Sequence, residues 1–185
     1  MSSSTTLKPF ATVNLLMGGL GTAIGLTALQ MLGTNGRNHR FLSIDSDTIK
    51  RTDDPTTTAA EIIASLGDLR DRIKVCRLAG FNLPQYRETY GDLLSGRYPN
   101  DPPSSSQLGF AKLRIWGSLG GLAMAEQIRR AVEGEVRQVR QVPGIDGGVV
   151  VINFVAGLCG GTGSANIAKV AAITYHALED MFSGG

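Results

Sequence analysis

The chain has 185 residues, 42% of them hydrophobic and 18% charged, which is enough apolar material for one domain with a buried core. A net charge of +2 gives no basic surface that would indicate a nucleic-acid or membrane partner. Two cysteines, no apolar run of roughly 18 residues and a polar N-terminus exclude a disulfide scaffold, a transmembrane helix and a secretory signal. We therefore expect a cytoplasmic domain.

The first quarter of the chain predicts a strand, a glycine loop, a helix and a second strand. Residues 11–17 (ATVNLLM) are a short apolar run, and residues 18–22 form a glycine-rich loop. Residues 23–32 have helical length and composition, and Gly33 ends them as a C-terminal glycine does. Residues 40–44 predict the second strand. A βαβ unit of this kind predicts an α/β fold: a Rossmann-like parallel sheet with helices on both faces.

The middle of the chain has a less regular pattern. Residues 58–66 predict a capped helix, residues 74–78 a strand and residues 83–94 a further helix. Residues 96–107, rich in proline and serine, predict a loop. Residues 108–140 are helical in composition, and glycines at 117, 120 and 121 predict a break before a strong helix over residues 122–139.

The end of the chain predicts a strand, a second glycine loop and a helix. Residues 148–156 (GVVVINFVA) are continuously apolar, which is typical of a strand buried on both faces. Residues 157–164 contain the second loop, and residues 165–182 predict the helix. We expect the strand to have one unpaired edge, so that it needs a partner strand or makes the lone chain poorly soluble.

Glycine is in excess, at 24 of 185 residues against a usual share of about 7%, and two of its clusters stand between a strand and a helix. Ligands of parallel α/β sheets lie beyond the carboxyl ends of the strands. Glycine lets a phosphate reach backbone N–H groups there, and the following helix N-terminus favours the anion. Two such anion-binding loops suit a di- or triphosphate better than a single phosphate. Thr22, Thr162 and Ser164 could add hydroxyl donors.

Known sequence patterns of phosphate-binding and catalytic loops narrow the possible functions of the two glycine clusters. No lysine follows either cluster, so neither is a Walker A loop, and the flanks of Ser164 do not fit a nucleophile elbow. A dinucleotide fingerprint fits loosely, with Gly19-x-Gly21, then Gly25, and Asp45 at the end of the next strand. An NAD(P)-binding oxidoreductase domain therefore stays open as an alternative. A structural module that keeps the scaffold for assembly alone is a third possibility.

Taken together, the clusters resemble the nucleotide-binding half of the tubulin/FtsZ superfamily, above all its divergent prokaryotic members. Residues 159–165 (CGGTGSA) are similar to the family's Gly-Gly-Gly-Thr-Gly-Ser/Thr-Gly phosphate loop, with Cys and Ala in place of the outer glycines. Residues 18–25 resemble its first loop, Gly-x-x-Gly-x-x-Ile-Gly, and residues 41–47 its second strand and following loop. Residues 109–125, which contain Arg114, look like its γ-phosphate loop and third helix.

This resemblance implies binding of GTP or GDP, with Mg²⁺ carried by the nucleotide. It implies that the α- and β-phosphates lie against Gly18, Gly19, Leu20, Gly21 and Thr22. It implies that the distal phosphates lie against Gly160, Gly161, Thr162, Gly163 and Ser164. Asp45 or Asp47 would reach the magnesium shell through water, and Arg114 would face the γ-phosphate.

The resemblance also implies a domain organisation and a partner. Residues 1–10 would be a flexible N-terminus, and residues 11–183 an incomplete tubulin-like nucleotide-binding domain. In the family the catalytic acid lies in a later region and acts on nucleotide held by the neighbouring subunit, so no catalytic or metal-ligating residue is assigned here. GTP hydrolysis would need a partner or a missing region. The expected partner is a second copy or another tubulin-like chain, as in a polymerising cytoskeletal GTPase.

Overall fold

The computed structural model describes residues 10–45, 63–78, 114–145 and 148–183. Its elements are, in chain order, β1 (Phe10–Met17), α1 (Gly18–Leu32), β2 (His39–Asp45), β3 (Ile73–Arg77), α2 (Arg114–Ala123), α3 (Ala125–Arg140), β4 (Val149–Ala156) and α4 (Gly161–Phe182). Short 3₁₀ turns cover Gly33–Asn35 and Gly67–Arg72. Phe10, predicted to belong to a flexible N-terminus over 1–10, is the first residue of β1. Residues 1–9, residues 58–62 of the predicted helix over 58–66, the helix over 83–94 and the loop over 96–107 lie outside the described residues.

The four described strands form one parallel sheet in the order β3-β2-β1-β4. In β1, Met17 pairs with Ile44 of β2 on one side and with Ala156 of β4 on the other, so these strands end at one level. The predicted α/β class and parallel sheet are confirmed, and the strand order is that of a Rossmann-like fold.

Helices cover both faces of the sheet, as predicted. On one face α1 packs on β1 and β2, and Leu16, Leu29 and Phe41 are buried between them. On the other face α2, α3 and α4 cover a larger core, to which the described part of the chain contributes fifteen buried residues, among them Leu15 and Val132. The chain therefore leaves β1 towards one face and leaves β4 towards the other.

Both predicted glycine loops belong largely to helices, which corrects the predicted helix starts. Helix α1 begins at Gly18 and α4 at Gly161, several residues earlier than the apolar pattern indicates. Met17 and Gly160, in extended conformation, precede them. Gly18 has a φ of +73°, which a residue with a side chain rarely adopts, and this lets the chain turn directly from strand into helix.

The predicted break at Gly117, Gly120 and Gly121 is wrong. All three lie inside α2, and the break comes at Met124, whose φ of −107° and ψ of 15° separate α2 from α3. A side chain at Gly117 would overlap the carbonyl oxygen of Gly161. The glycine thus permits a close approach of α2 to α4 and does not interrupt the helix.

The prediction that β4 is buried on both faces is also wrong. None of its eight residues is buried, and Val149, Val151 and Phe154 are exposed. Within the described sheet β4 is an edge strand that pairs only with β1, so the predicted unpaired edge is present there. None of the described helices has the length and apolar character needed to cross a membrane.

Candidate functional site

The carboxyl ends of β1 and β4 form the candidate site. The two strands are paired in register along eight residues, from Phe10 with Val149 to Met17 with Ala156. From this edge α1 runs over one face of the sheet and α4 over the other. Parallel α/β sheets bind ligands where neighbouring connections diverge in this way, beyond the strand ends.

The two predicted phosphate segments lie in direct contact at this edge. A Cβ built on Gly18 would lie 3.1 Å from the backbone nitrogen of Gly163. A Cβ on Gly163 would lie 2.9 Å from the carbonyl oxygens of both Met17 and Gly157. The segments therefore meet backbone to backbone, with no room for side chains between them, and a single ligand could contact both.

Two further glycines seat α1 against the sheet. A Cβ on Gly21 would lie 2.5 Å from the carbonyl oxygen of Val155 in β4, and a Cβ on Gly25 would overlap the side chain of Leu16 in β1. Gly25 thus has the helix–strand packing role of the third glycine in a dinucleotide fingerprint. Both residues are explained by contacts within the protein.

Gly160 differs from these four glycines because the space beside it is open. The nearest atom to a Cβ built there is the carbonyl oxygen of Gly157, at 3.8 Å. Gly19 and Gly160 are partly accessible, and Leu20 is 60% exposed. These residues form the surface of the site, while Gly18, Gly21 and the backbone at 161–163 are buried beneath it.

The two helix starts leave their N-termini to a ligand or to solvent. Neither α1 nor α4 has a side-chain cap at its N-terminus, and neither has an acidic residue in its first turn. The first backbone N–H groups of a helix lack partners within it, and the helix dipole makes this end positive. The arrangement therefore favours an anion at the meeting point of the two helices.

The predicted hydroxyl donors have partners within the protein. Thr22 Oγ1 is 2.7 Å from Ser43 Oγ, a buried hydrogen bond that holds α1 on β2. Ser164 Oγ donates to the carbonyl oxygen of Gly160, inside the first turn of α4. Thr162 is buried in that turn. The hydroxyls of Thr22 and Ser164 thus hold the protein together at this edge.

The charged candidates are less well defined. Asp45 is the last residue of β2, at the same edge of the sheet, and is only 6% exposed. Arg114 is the first residue of α2, and Asp47 lies outside the described residues. No group of three acidic, histidine or cysteine side chains in the described ranges could hold a metal ion. A magnesium ion here would need water and ligand oxygens for most of its coordination, since Mg²⁺ usually keeps several waters beside one or two carboxylates.

The sequence patterns missed Asn166. Its side chain is fully buried, and Nδ2 donates to the carbonyl oxygen of Gly117 at 2.8 Å and to that of Thr162 at 3.0 Å. It thereby joins α2 to the first turn of α4. The signal in the sequence is a polar residue at an apolar helical position, and the partner 49 residues away gives no local sign.

At the amino ends of β2 and β3, far from the glycine clusters, the sheet carries buried charged side chains. Glu135 of α3 is fully buried, with Oε2 2.8 Å from Arg40 Nε and Oε1 3.0 Å from Lys74 Nζ. An open cavity of about 480 Å³ lies beside this cluster and is also lined by Arg70. Arg40 and Lys74 are committed to the buried carboxylate, which makes the cluster a structural one.

No protein-family model matches the chain, and no curated protein or solved structure matches it either. The fold and the geometry of the glycine-rich edge define the class of protein as an α/β protein with a Rossmann-like parallel sheet. The resemblance to tubulin and FtsZ rests on the motifs alone.

Proposed function

We propose that the chain binds a guanine nucleotide, GTP or GDP with its Mg²⁺, between the carboxyl ends of β1 and β4, as a tubulin-like domain. The observation that carries the proposal is the contact between the two glycine-rich helix starts, where Gly18 and Gly163 meet backbone to backbone. Two separate motifs of the resemblance thus fall in one place.

A chain of phosphates suits this geometry better than a single phosphate. Helix α1 has 15 residues and α4 has 22, so each has a full dipole, and neither N-terminus is capped by a side chain. One phosphate can face one helix start, whereas a di- or triphosphate can face both. The open space beside Gly160 supports placing the distal phosphates over α4.

The preference for guanine, the tubulin-like character and the cytoplasmic location are parts of the proposal that only the sequence supports. We expect nucleotide binding with negligible hydrolysis by this chain, because the catalytic acid of the resembled family would come from a partner or from a region outside it. A partner chain, either a second copy or another tubulin-like chain, belongs to the same proposal. The edge position of β4, with Val149 and Val151 exposed, supports it, and sedimentation over a range of concentrations tests it.

Thermal unfolding with GTP, ATP and NAD, each with Mg²⁺, tests the proposal. A ligand that binds only the native state at about 100 times its Kd adds about 2.7 kcal/mol to the free energy of unfolding, so GTP should raise the Tm clearly. Equal effects of GTP and ATP would contradict the guanine preference. No effect of any nucleotide at millimolar concentration would favour the assembly module.

A pair of variants at Gly160 isolates the electrostatic part. Its φ of −86° and ψ of 151° suit any residue, and both Asp and Asn are good N-caps. Gly160→Asp should therefore fold at least as stably as the unmodified chain, yet place a negative charge where the phosphates bind. We expect it to weaken GTP binding at least tenfold more than the matched neutral control, Gly160→Asn. Equal affinities of the two variants would refute the phosphate site.

NAD(P) binding remains the second candidate because two observations favour it. Asp45 ends β2 at the same edge as the glycines, and Gly25 packs α1 on β1 as the fingerprint requires. This function predicts a rise in Tm with NAD or NADP and none with GTP. It leaves the contact between the second glycine cluster and Gly18 without a role.

A further inference from the structure

We propose that the edge of β4 is a dimer interface, where β4 pairs antiparallel with β4 of a second copy and Asn153 lies opposite Asn153 on a two-fold axis. The inference rests on the partner that belongs to the proposed function, which it narrows to a second copy, and it does not depend on the nucleotide. Within the described sheet β4 pairs only with β1, so its other side is open to such a strand.

Strand β4 lacks the features that usually keep edge strands from pairing. Its eight residues (VVVINFVA) contain no charge and no proline, and it pairs with β1 residue by residue without a bulge. Helix α1, which begins beside the end of β4, has no charged residue either. A second copy therefore approaches this edge without like-charge repulsion, and the exposed side chains of Val149 and Val151 gain apolar contacts.

A chain of side-chain hydrogen bonds crosses the sheet and ends at this edge. Asn14 Nδ2 donates to the carbonyl oxygen of Arg40 at 3.0 Å and to Thr12 Oγ1 at 3.3 Å. Asn153 Nδ2 donates to Asn14 Oδ1 at 2.9 Å, and the two residues are paired in register. Asn153 is exposed, and its second N–H and its Oδ1 have no partner in the described part of the chain. The polar row thus offers one donor and one acceptor to a strand beside β4.

A two-fold axis through Asn153 pairs both groups at once. Residues opposite each other in an antiparallel pair share a face, with Cβ atoms roughly 4.5–5.5 Å apart, so each Asn153 reaches Oδ1 of the other copy with its second N–H. A strand of a different protein would need an amide at this one position, whereas a second copy has it by symmetry. A shift of the pairing by two residues would place Asn153 opposite Val151 and leave the amide unpaired.

The same register matches the other side chains of the strand. It places Val151 opposite Val155 of the second copy on one face, and Ile152 opposite Phe154 on the other. Pairs of an aromatic with a β-branched residue are among the favourable cross-strand pairs. Apart from the central amides, every pair within β4 is therefore apolar.

Helix α1 extends the match beyond the strand. A Cβ built on Gly157 would lie 2.9 Å from Leu20 Cδ2, so Leu20 lies against this glycine. The register places Gly157 opposite Val149 of the second copy. Leu20 is 60% exposed and Val149 is 52% exposed, and the dimer would bring these two side chains together.

Sedimentation of the full chain over the micromolar range tests the interface. Val151→Lys puts a lysine of each copy at the paired edge, and we expect it to weaken the dimer at least about tenfold. The matched control is Val75→Lys, because Val75 is 50% exposed on β3, at the opposite edge of the described sheet. It should leave the dimer Kd unchanged, and thermal unfolding checks that both variants fold. Equal dimer Kd values in the two variants would overturn the inference.

Disulfide cross-linking tests the register. In a Cys159→Ser background, which removes the exposed native thiol, Asn153→Cys places two thiols opposite each other on the axis, where a disulfide can form. Val149→Cys is the control, since Val149 is also exposed on β4 but lies opposite Gly157 in this register. Diamide should give a covalent dimer with Asn153→Cys and little with Val149→Cys. Covalent dimers from both variants, or from neither, would contradict the proposed pairing.

Failure of the dimer and failure of the nucleotide site give different results. A chain that stays monomeric throughout the micromolar range would overturn this inference and leave the edge to a strand of another protein. A rise in Tm with GTP would in that case still support the nucleotide site. A dimer with the expected cross-link but no response to any nucleotide would instead overturn nucleotide binding and leave the interface intact.

Discussion

The two ends of the sheet are held together by opposite means. At the carboxyl end of β1 and β4, helices and strands meet through glycines, and Gly21 and Gly163 bring backbone atoms into contact. At the amino end of β2 and β3, long side chains of the strands join the sheet to α3 by pairing with the buried carboxylate of Glu135. The first turns of α1 and α4 carry no charged side chains, whereas the amino end of β2 and β3 has several within a small space.

This difference assigns separate tasks to the two ends. Charges that pair with each other inside the fold are not available to a ligand, so the amino end is built for stability. Backbone N–H groups at uncapped helix starts keep their capacity to bind an anion, while the glycines beneath them fix their position. A substitution should therefore affect stability at the amino end, and both stability and binding at the carboxyl end.

The largest effect is expected from Glu135→Gln at the amino end. It leaves Arg40, which is 12% exposed, without its charged partner and removes the pairing of Lys74. Breaking a buried ion pair from one side costs about 3 kcal/mol of unfolding free energy, measured by urea denaturation. The control on the same helix is Glu126→Gln, an exposed carboxylate paired with Arg130, which should cost less than about 0.5 kcal/mol. Equal losses would show that the cluster does not hold this end.

An intermediate effect is expected from Gly21→Ala at the carboxyl end. The new Cβ would lie 2.5 Å from the carbonyl oxygen of Val155, so α1 must move away from β4. We expect a loss of about 2 kcal/mol in the same assay, typical of an overpacked contact. Gly134→Ala is the control, since no atom lies within 4 Å of its Cβ and α3 should gain about 0.5–1 kcal/mol. A neutral or stabilising Gly21→Ala would disprove the close contact.

The smallest effect is a pH dependence at the amino end. Burial and then the positive charge of Arg72 lower the pKa of His39, whose Nδ1 is 2.5 Å from Thr12 Oγ1. The unfolded chain takes up this proton at higher pH than the folded chain, so the free energy of unfolding falls as the pH falls through about 6.5. His39→Asn should reduce this loss by about 0.5 kcal/mol, since solvent screens the site.

Urea denaturation at pH values above and below that range measures the effect. His176→Asn is the matched control because His176 lies exposed on α4. If the free energy of unfolding depends on acid pH identically in His39→Asn and in the unmodified chain, His39 does not contribute to the acid sensitivity.

Local patterns in the sequence predicted the central part of the fold. The strands expected over 11–17, 40–44 and 74–78 are present within one residue of these bounds. The first is an apolar run that ends at a glycine cluster, and the other two hold short apolar stretches beside charged residues. Because ligands of parallel sheets lie beyond the carboxyl ends of the strands, the sequence also predicted that the two glycine clusters share one edge.

Features that depend on distant partners were not predictable. The sequence of an apolar strand does not show whether another element covers it. The exposure of β4 was therefore not predictable from its apolar residues. Gly117 and Gly121 look like helix breakers in sequence, whereas their meaning comes from α4. The contact of Asn166 with Gly117 is likewise tertiary.

The exposed position of β4 bears on how this site can vary. A strand added parallel to β4 would finish beside residues 157–160, so the loop after it would stand next to the open space at Gly160. Extension of the sheet at that margin, from whatever source, would therefore add a wall to the ligand's surroundings without disturbing the glycine contacts underneath. An appended layer of this kind would change which ligands the proposed site accepts, while the glycine contacts at its base stay the same.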